Sequence, residues 1–193
     1  MTHDHLYRRK RGDVPFCRIG VMDIEVAQAG WRDFPVLWSL QKKILREAEH
    51  LVATGEERKE PFAYALAKAF LHRKRVHTFL ALEGGEMVGY ITLVSGKFKK
   101  IRDTVYIVVG VRASHRGRGI GTKLLARAEE FARERGMHRM ELEVSDKNEY
   151  AIRLYERLGY AAEGRRREAT KTSGGYNDII WMGKLLSNGG GRV

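Results

Sequence analysis

The sequence predicts an α/β fold in which crossover helices join the strands of one mixed sheet. Three observations carry this expectation. Two apolar runs, Thr78–Leu82 and Met87–Val94, meet at Glu83-Gly84-Gly85-Glu86, the signature of a tight hairpin. The stretch Thr104–Val111 is nearly all β-branched or aromatic and leads straight into a glycine-rich turn and an amphipathic helix. Strand and helix patterns then alternate to a closing pair of strands.

Taken in order, residues 1–12 are polar and basic and read as a flexible arm, and Phe16–Val21 reads as a short first strand. From Asp33, with Pro35 near the helix start, Leu37, Leu40, Ile44, Leu45 and Ala48 recur at helical spacing until Gly55 closes the segment. A charged loop, Thr54–Glu60, precedes a second helix from about Pro61, with Phe62, Leu66, Ala69 and Phe70 on its apolar stripe. After the hairpin, Gly96–Asp103 is a basic connection. Thr104–Val111 reads as a strand buried on both faces. The helix after the glycine turn carries Ile120, Leu124, Leu125, Ala128, Phe131 and Ala132 on one stripe and stops at Gly136, a left-handed cap. Met140–Val144 is a strand, and Asn148–Leu158 a helix with Ala151, Leu154, Tyr155 and Leu158 on one face, ended by Gly159. Tyr160–Ala169 and Asp178–Leu185 close the sheet, and the glycine-rich Ser187–Val193 is a loose tail.

At 193 residues and 43% hydrophobic content the chain fits a single domain, residues 13–186, with a real core. Lys and Arg number 36 against 24 Asp and Glu, a formal charge of +12 that favours an anionic partner or a solvated charged surface. Cys17 is the sole cysteine, so no internal disulfide forms, which agrees with a reducing cytoplasm. No secretory signal and no membrane span are expected. The seven histidines are scattered without partners at ligand spacing, so no metal is expected.

The turn Arg116-Gly117-Arg118-Gly119-Ile120-Gly121-Thr122-Lys123 is where a chain holds a phosphate: glycines let N–H groups converge and the helix adds its dipole. Spacing removes two readings. A triphosphate loop needs glycine five residues after Gly117, where Thr122 stands. A dinucleotide fingerprint fails on its third glycine, replaced by Thr122 or Leu124 in the two possible frames.

Arg116-x-x-Gly119-x-Gly121, with a strand before it and a helix after it, resembles the pyrophosphate-binding signature of the GNAT N-acetyltransferase superfamily. A second segment, Asn148-x-x-Ala151-x-x-Leu154-Tyr155-x-x-x-Gly159-Tyr160, is similar to that superfamily's Asn-x-x-Ala-x-x-Leu-Tyr-x-x-x-Gly-Phe motif, with Tyr160 in place of Phe. The resemblance runs over residues 16–185 and is strongest from Thr104 to Trp181. It implies a mixed, mostly antiparallel sheet of about 6–7 strands with about four flanking helices and a splayed central strand pair.

The resemblance further implies transfer of the acetyl group of acetyl-CoA to a primary amine by direct attack in a ternary complex. The turn Arg116, Gly117, Arg118, Gly119, Ile120, Gly121 and Thr122 would grip the pyrophosphate. Val109, Gly110 and Val111 would line the splay and bind pantetheine and the acetyl oxygen, with Gly110 the place for a bulge or for a close strand approach. Asn148 would hydrogen-bond the pantetheine or neighbouring backbone, its alternative being a helix cap. Tyr155 would meet the cofactor sulfur as general acid, its alternative being a core tyrosine. Spacing singles out no general base among Glu83, Asp103, Tyr106, Glu141 and Glu143; Glu143 is the working choice. His115 is expected to face the cofactor rather than act as base, with Arg112 and Lys123 adding positive charge around the turn.

The amine half is expected from the first two helices, their loop and the last hairpin, with Glu47, Glu49, Glu56, Glu57, Tyr64 and Tyr176 as candidates to meet a cation. Glu163-Gly164-Arg165-Arg166-Arg167-Glu168 followed by Tyr176–Met182 looks like the ending of many acetyltransferases of small amines and of protein N-termini. A small-molecule amine of polyamine, amino-acid or antibiotic type is favoured, and a protein α-amino group is the alternative. A reading of another class, a nucleic-acid or ribosome-associated protein, rests on Arg8-Arg9-Lys10-Arg11, Lys97 with Lys99 and Lys100, and Arg165-Arg166-Arg167. No zinc-finger spacing or ribonucleoprotein aromatic signature accompanies these clusters. By analogy, a homodimer could be built on the exposed C-terminal strands.

Overall fold

The elements of the computed structural model follow in chain order as β1 (Ile24–Gln28), α1 (Phe34–Glu47), α2 (Phe62–Leu71), β2 (Val76–Glu83), β3 (Glu86–Ser95), β4 (Thr104–Val111), α3 (Ile120–Glu134), β5 (Arg139–Ser145), α4 (Glu149–Arg157), β6 (Ala161–Thr172) and β7 (Gly175–Leu185). Residues 23–47, 61–172 and 174–186 are described. The arm 1–12, the strand read at Phe16–Val21, Cys17, Ala48, the loop Thr54–Glu60 with Gly55, and the tail 187–193 lie outside them.

The strands form one sheet in the order β1-β2-β3-β4-β5-β7-β6, antiparallel throughout except for the β4–β5 pair. α3 makes the crossover that parallel neighbours require. β1, which the sequence reading did not identify, pairs along its length with β2 from Ile24↔Glu83 to Gln28↔Phe79. Five residues with Ile24 and Val26 alternating against Glu25 give too brief a pattern to stand out.

β2 and β3 read as continuous apolar runs because both their faces are covered. Phe79, Ala81, Val88, Ile91 and Leu93 join α3 and α4 in one core. Leu80, Leu82, Met87 and Tyr90 join Leu37, Leu40 and Ile44 of α1 in a second core on the opposite face. The α3 stripe is buried as its periodicity predicts, from Ile120 to Ala132. Its end is a Schellman cap, with Gly136 N–H donating to Arg133 O at 2.9 Å and Met137 N–H to Ala132 O at 2.9 Å. α4 ends the same way: Gly159 N–H donates to Glu156 O and Tyr160 N–H to Tyr155 O.

Two expectations are corrected. α2 buries Ala65, but Phe62, Leu66 and Phe70 of its apolar stripe are exposed, because α2 stands outside both cores. β4 is not buried on both faces. It alternates, with Val105 and Ile107 under α3 while Val108 is exposed where the sheet opens beside it.

Candidate active site

β4 and β5 pair only at their starts, Thr104↔Arg139, Val105↔Met140 and Tyr106↔Glu141. Beyond Tyr106, β4 continues with β3 to Val111, whereas β5 continues with β7 to Ser145. The two central strands therefore diverge, and each presents an unpaired edge to the gap. Parity fixes which groups β4 offers there. Arg112 N–H donates to Val88 O at 3.0 Å, and neighbouring N–H groups on a strand alternate sides, so Gly110 also points at β3. The N–H groups of Val109 and Val111 face the gap. The β3–β4 register runs without a shift from Gly89↔Val111 to Ser95↔Val105, so Gly110 carries no bulge. The glycine is there for close approach: a Cβ on it would stand 2.8 Å from Tyr90 Cε1 and 3.0 Å from Ile44 Cγ2.

The chain leaves β4 through one short turn of helix, Ala113–His115, and then bends at Gly117 and Gly119, each with φ +75°. That conformation favours glycine, and open space surrounds the position a Cβ would take on either. α3 begins immediately, without a side-chain cap, and Lys123 N–H makes the first bond back, to Gly119 O at 3.1 Å. Among the described residues, the backbone N–H groups from Gly117 to Thr122 have no acceptor. They form a row of donors at the positive end of a helix dipole.

The side chains around this row are already engaged. Arg118 forks onto Glu83, with Nη1 2.9 Å from Oε2 and Nη2 on Oε1. His115 Nε2 lies 3.2 Å from Glu83 Oε2, and its Nδ1 is 2.8 Å from Ser114 Oγ. Arg112 pairs with Glu86, Arg116 Nε donates to Val111 O at 3.3 Å, and Lys123 Nζ reaches Ile24 O at 3.4 Å. Glu83 is buried, and the Arg118 guanidinium holds its carboxyl below the usual carboxylate range. Glu83 is thus part of the loop's support, and it engages His115, which the sequence reading expected to face the cofactor.

Across the gap, Asn148 caps α4, its Oδ1 accepting Ala151 N–H at 3.2 Å. Tyr155 is buried in α4 with its ring 5.9 Å from that of Tyr160, and its hydroxyl has no hydrogen-bond partner among the described residues. Burial pushes its phenol well above the ordinary value, and the nearby Tyr106 pushes it further. Tyr106, the last residue of β4 paired with β5, is raised by burial and then by the Glu143 carboxylate, and its ring lies 6.1 Å from that of Trp181, tilted by 47°. Glu143, half-buried on β5, accepts from Arg166 Nη1 at 3.2 Å. The acceptor candidates are not gathered here: Tyr64 and Tyr176 are exposed, and Glu47 Oε2 accepts Ala113 N–H at 2.8 Å. Glu49, Glu56 and Glu57 lie outside the described residues. Among those residues, no group of His, Cys, Asp and Glu side chains could hold a metal ion, and no helix is long and apolar enough to cross a membrane.

The model of the acetyltransferase (GNAT) family matches residues 34–160. The chain belongs to this family. Phosphinothricin N-acetyltransferase of Streptomyces coelicolor is 27% identical over 175 residues, 86% of this chain and 99% of that protein. The L-methionine sulfoximine/L-methionine sulfone acetyltransferase of Pseudomonas aeruginosa is 33% identical over 99 residues, 51% of this chain, and the match spans 58% of that relative's length. A GNAT acetyltransferase structure from Streptococcus pneumoniae superposes with a TM-score of 0.78 at 21% identity, covering 86% of this chain and all of that one.

In this GNAT chain the central strands splay as the resemblance implies, and the start of α3 lies against α4, where a Cβ on Gly121 would stand 3.1 Å from Leu154 Cδ2. Sequence reasoning placed Tyr106 only among undistinguished bases, Trp181 only within the closing Tyr176–Met182 segment and Arg166 only within a basic cluster. The signal was in β5, where Glu141 and Glu143 alternate with the buried Met140, Leu142 and Val144 and so lie on the sheet face away from α3 and α4. In the basic run on β6, Arg165 pairs with Asp178 and Asp146 and Arg166 with Glu143.

Proposed function

We propose that the protein transfers the acetyl group of acetyl-CoA to the primary amine of a small amino-acid-like compound, by direct attack within a ternary complex. The observation that carries this is the row of acceptor-free N–H groups from Gly117 to Thr122 beside the open edge of β4. The turn Arg116–Thr122 receives the pyrophosphate through main-chain donors and the α3 dipole. Val109 and Val111 direct N–H groups at the pantetheine arm and at the acetyl oxygen, where negative charge grows as the amine attacks. Gly110 keeps that edge in place against β3, and Asn148 fixes the start of α4 on the far side of the gap.

Glu143 accepts a proton from the incoming ammonium, leaving the neutral amine to form the C–N bond. The C–S bond then breaks: the Tyr155 hydroxyl gives its proton to the departing thiolate, the new amide nitrogen sheds its second proton to solvent, and solvent restores the phenol. The burial that raises the phenol acts equally on a thiolate forming beside it, so proton delivery keeps pace with the developing charge. An amino-acid-like acceptor is supported by the compounds named for two relatives, methionine sulfoximine or sulfone and phosphinothricin.

Thiol release from acetyl-CoA, measured against amino acids, those two compounds, polyamines, aminoglycosides and N-terminal peptides, tests this reading. Fastest turnover is expected with the amino-acid-like amines. Turnover of peptides alone would replace the acceptor, and no thiol release with any amine would remove the activity.

A further inference from the structure

We propose that Glu83 is a positioning residue for the donor site, holding the glycine turn in its anion-binding shape before acetyl-CoA arrives. This rests on the reading of Gly117–Thr122 as the pyrophosphate cradle. A buried carboxylate behind an anion site is electrostatically the wrong charge, so its presence there calls for a geometric account. Glu83 is the last residue of β2, and its backbone is locked between Ile24 of β1 and Glu86 of β3. From that rigid point it takes both arms of Arg118 and the ring of His115, whose Nδ1 is held in turn at Ser114 Oγ. Arg118 sits between the two left-handed glycines, and His115 lies just before the first of them. One carboxylate thus anchors the turn on both sides of Gly117, the part of the chain with the greatest conformational freedom. An anchored turn loses less entropy on binding, and its N–H groups stay convergent. The anchor also withdraws Arg118 from the ligand, leaving recognition to the main chain.

Two accounts of Glu83 differ in sign. If its charge alone mattered, Glu83→Gln would tighten acetyl-CoA by removing a negative group and freeing a cation. If it positions the turn, the same change weakens acetyl-CoA. Titration calorimetry with acetyl-CoA, together with steady-state kinetics, reads this directly. The expected result for Glu83→Gln is a rise of tenfold or more in Kd and KM for acetyl-CoA, with kcat at saturating donor within twofold of the parent. Glu83→Asp keeps the charge but is one methylene too short for the fork, so it carries the test if the Gln variant does not fold. It is expected to weaken binding several-fold, whereas charge alone predicts no change. Unchanged or tighter binding in the variant that folds overturns the proposal. Gly119→Val separates the two levels: if it leaves acetyl-CoA affinity intact the cradle reading itself fails. If it weakens affinity while the Glu83 variants do not, only the role of Glu83 fails.

Discussion

The ring of Tyr90 fills the space a side chain at Gly110 would need, its Cε1 2.8 Å from where the Cβ would stand. Ile44 of α1 closes the same space at 3.0 Å. Gly110→Ala is therefore expected to cost about 1–3 kcal/mol by overpacking. For a chain of this size that lowers the thermal midpoint by roughly 2–4 °C per kcal/mol. Because relief comes by moving β4, kcat falls as well, and a thermal melt read beside turnover checks both.

Gly119→Val acts differently, since nothing lies within 4 Å of its Cβ position. The strain comes from φ +75°, which a β-branched residue tolerates only at a cost of about 1–3 kcal/mol. The expected outcome is a rise of at least tenfold in KM for acetyl-CoA, with KM for the amine unchanged.

Tyr155→Phe removes the proposed proton source and little else, because its hydroxyl makes no hydrogen bond among the described residues. A fall in kcat of about 10²–10⁴-fold is expected, with acetyl-CoA affinity retained. Full turnover under chemistry-limited conditions would exclude Tyr155 as the acid.

Glu143→Gln is expected to slow turnover tenfold or more at neutral pH, since the amide cannot take the ammonium proton. A rate that instead recovers fully with rising pH would mean the amine loses its proton to water without help.

Stability is expected to fall at both ends of the pH scale. Tyr155 and Tyr160 are raised in the folded chain by burial, so their neutral forms favour folding. That contribution is complete below the unfolded phenol value of about 10 and is lost as pH climbs above it. Glu83, Glu163 and Asp178 are lowered, by Arg118, by Arg139 and by the Glu168 N–H with Arg165. Their contribution is present above the unfolded carboxylate values of about 4 and is lost as pH drops below them. Thermal midpoints from pH 3 to 11 give the curve, and Tyr160→Phe is expected to soften its alkaline side.

Elements whose burial follows their own periodicity were legible in the sequence. The α3 stripe, the β4 limits and the ends of α3 and α4 at Gly136 and Gly159 all lie where local pattern puts them. What depends on partners was not. The apolar positions of α2 spell a core helix, yet burial is decided by what packs against them. Likewise, the point at which β4 leaves β5 is a matter of register, which no residue of either strand records alone. The same limit applied to the site. The glycine turn was visible as a motif, but the engagement of its arginines was not, because Glu83 and Glu86 approach it from the opposite hairpin.

That engagement bears on how the proposed donor site responds to salt. Mobile surface cations attract an anion over a distance that dissolved ions screen, about 8 Å at physiological ionic strength. Main-chain N–H groups that donate directly to a bound anion are screened less than separated charges. If the proposed donor site draws as little on the formal charge of +12 as this engagement implies, binding of its polyanionic ligand is expected to weaken only modestly with added salt.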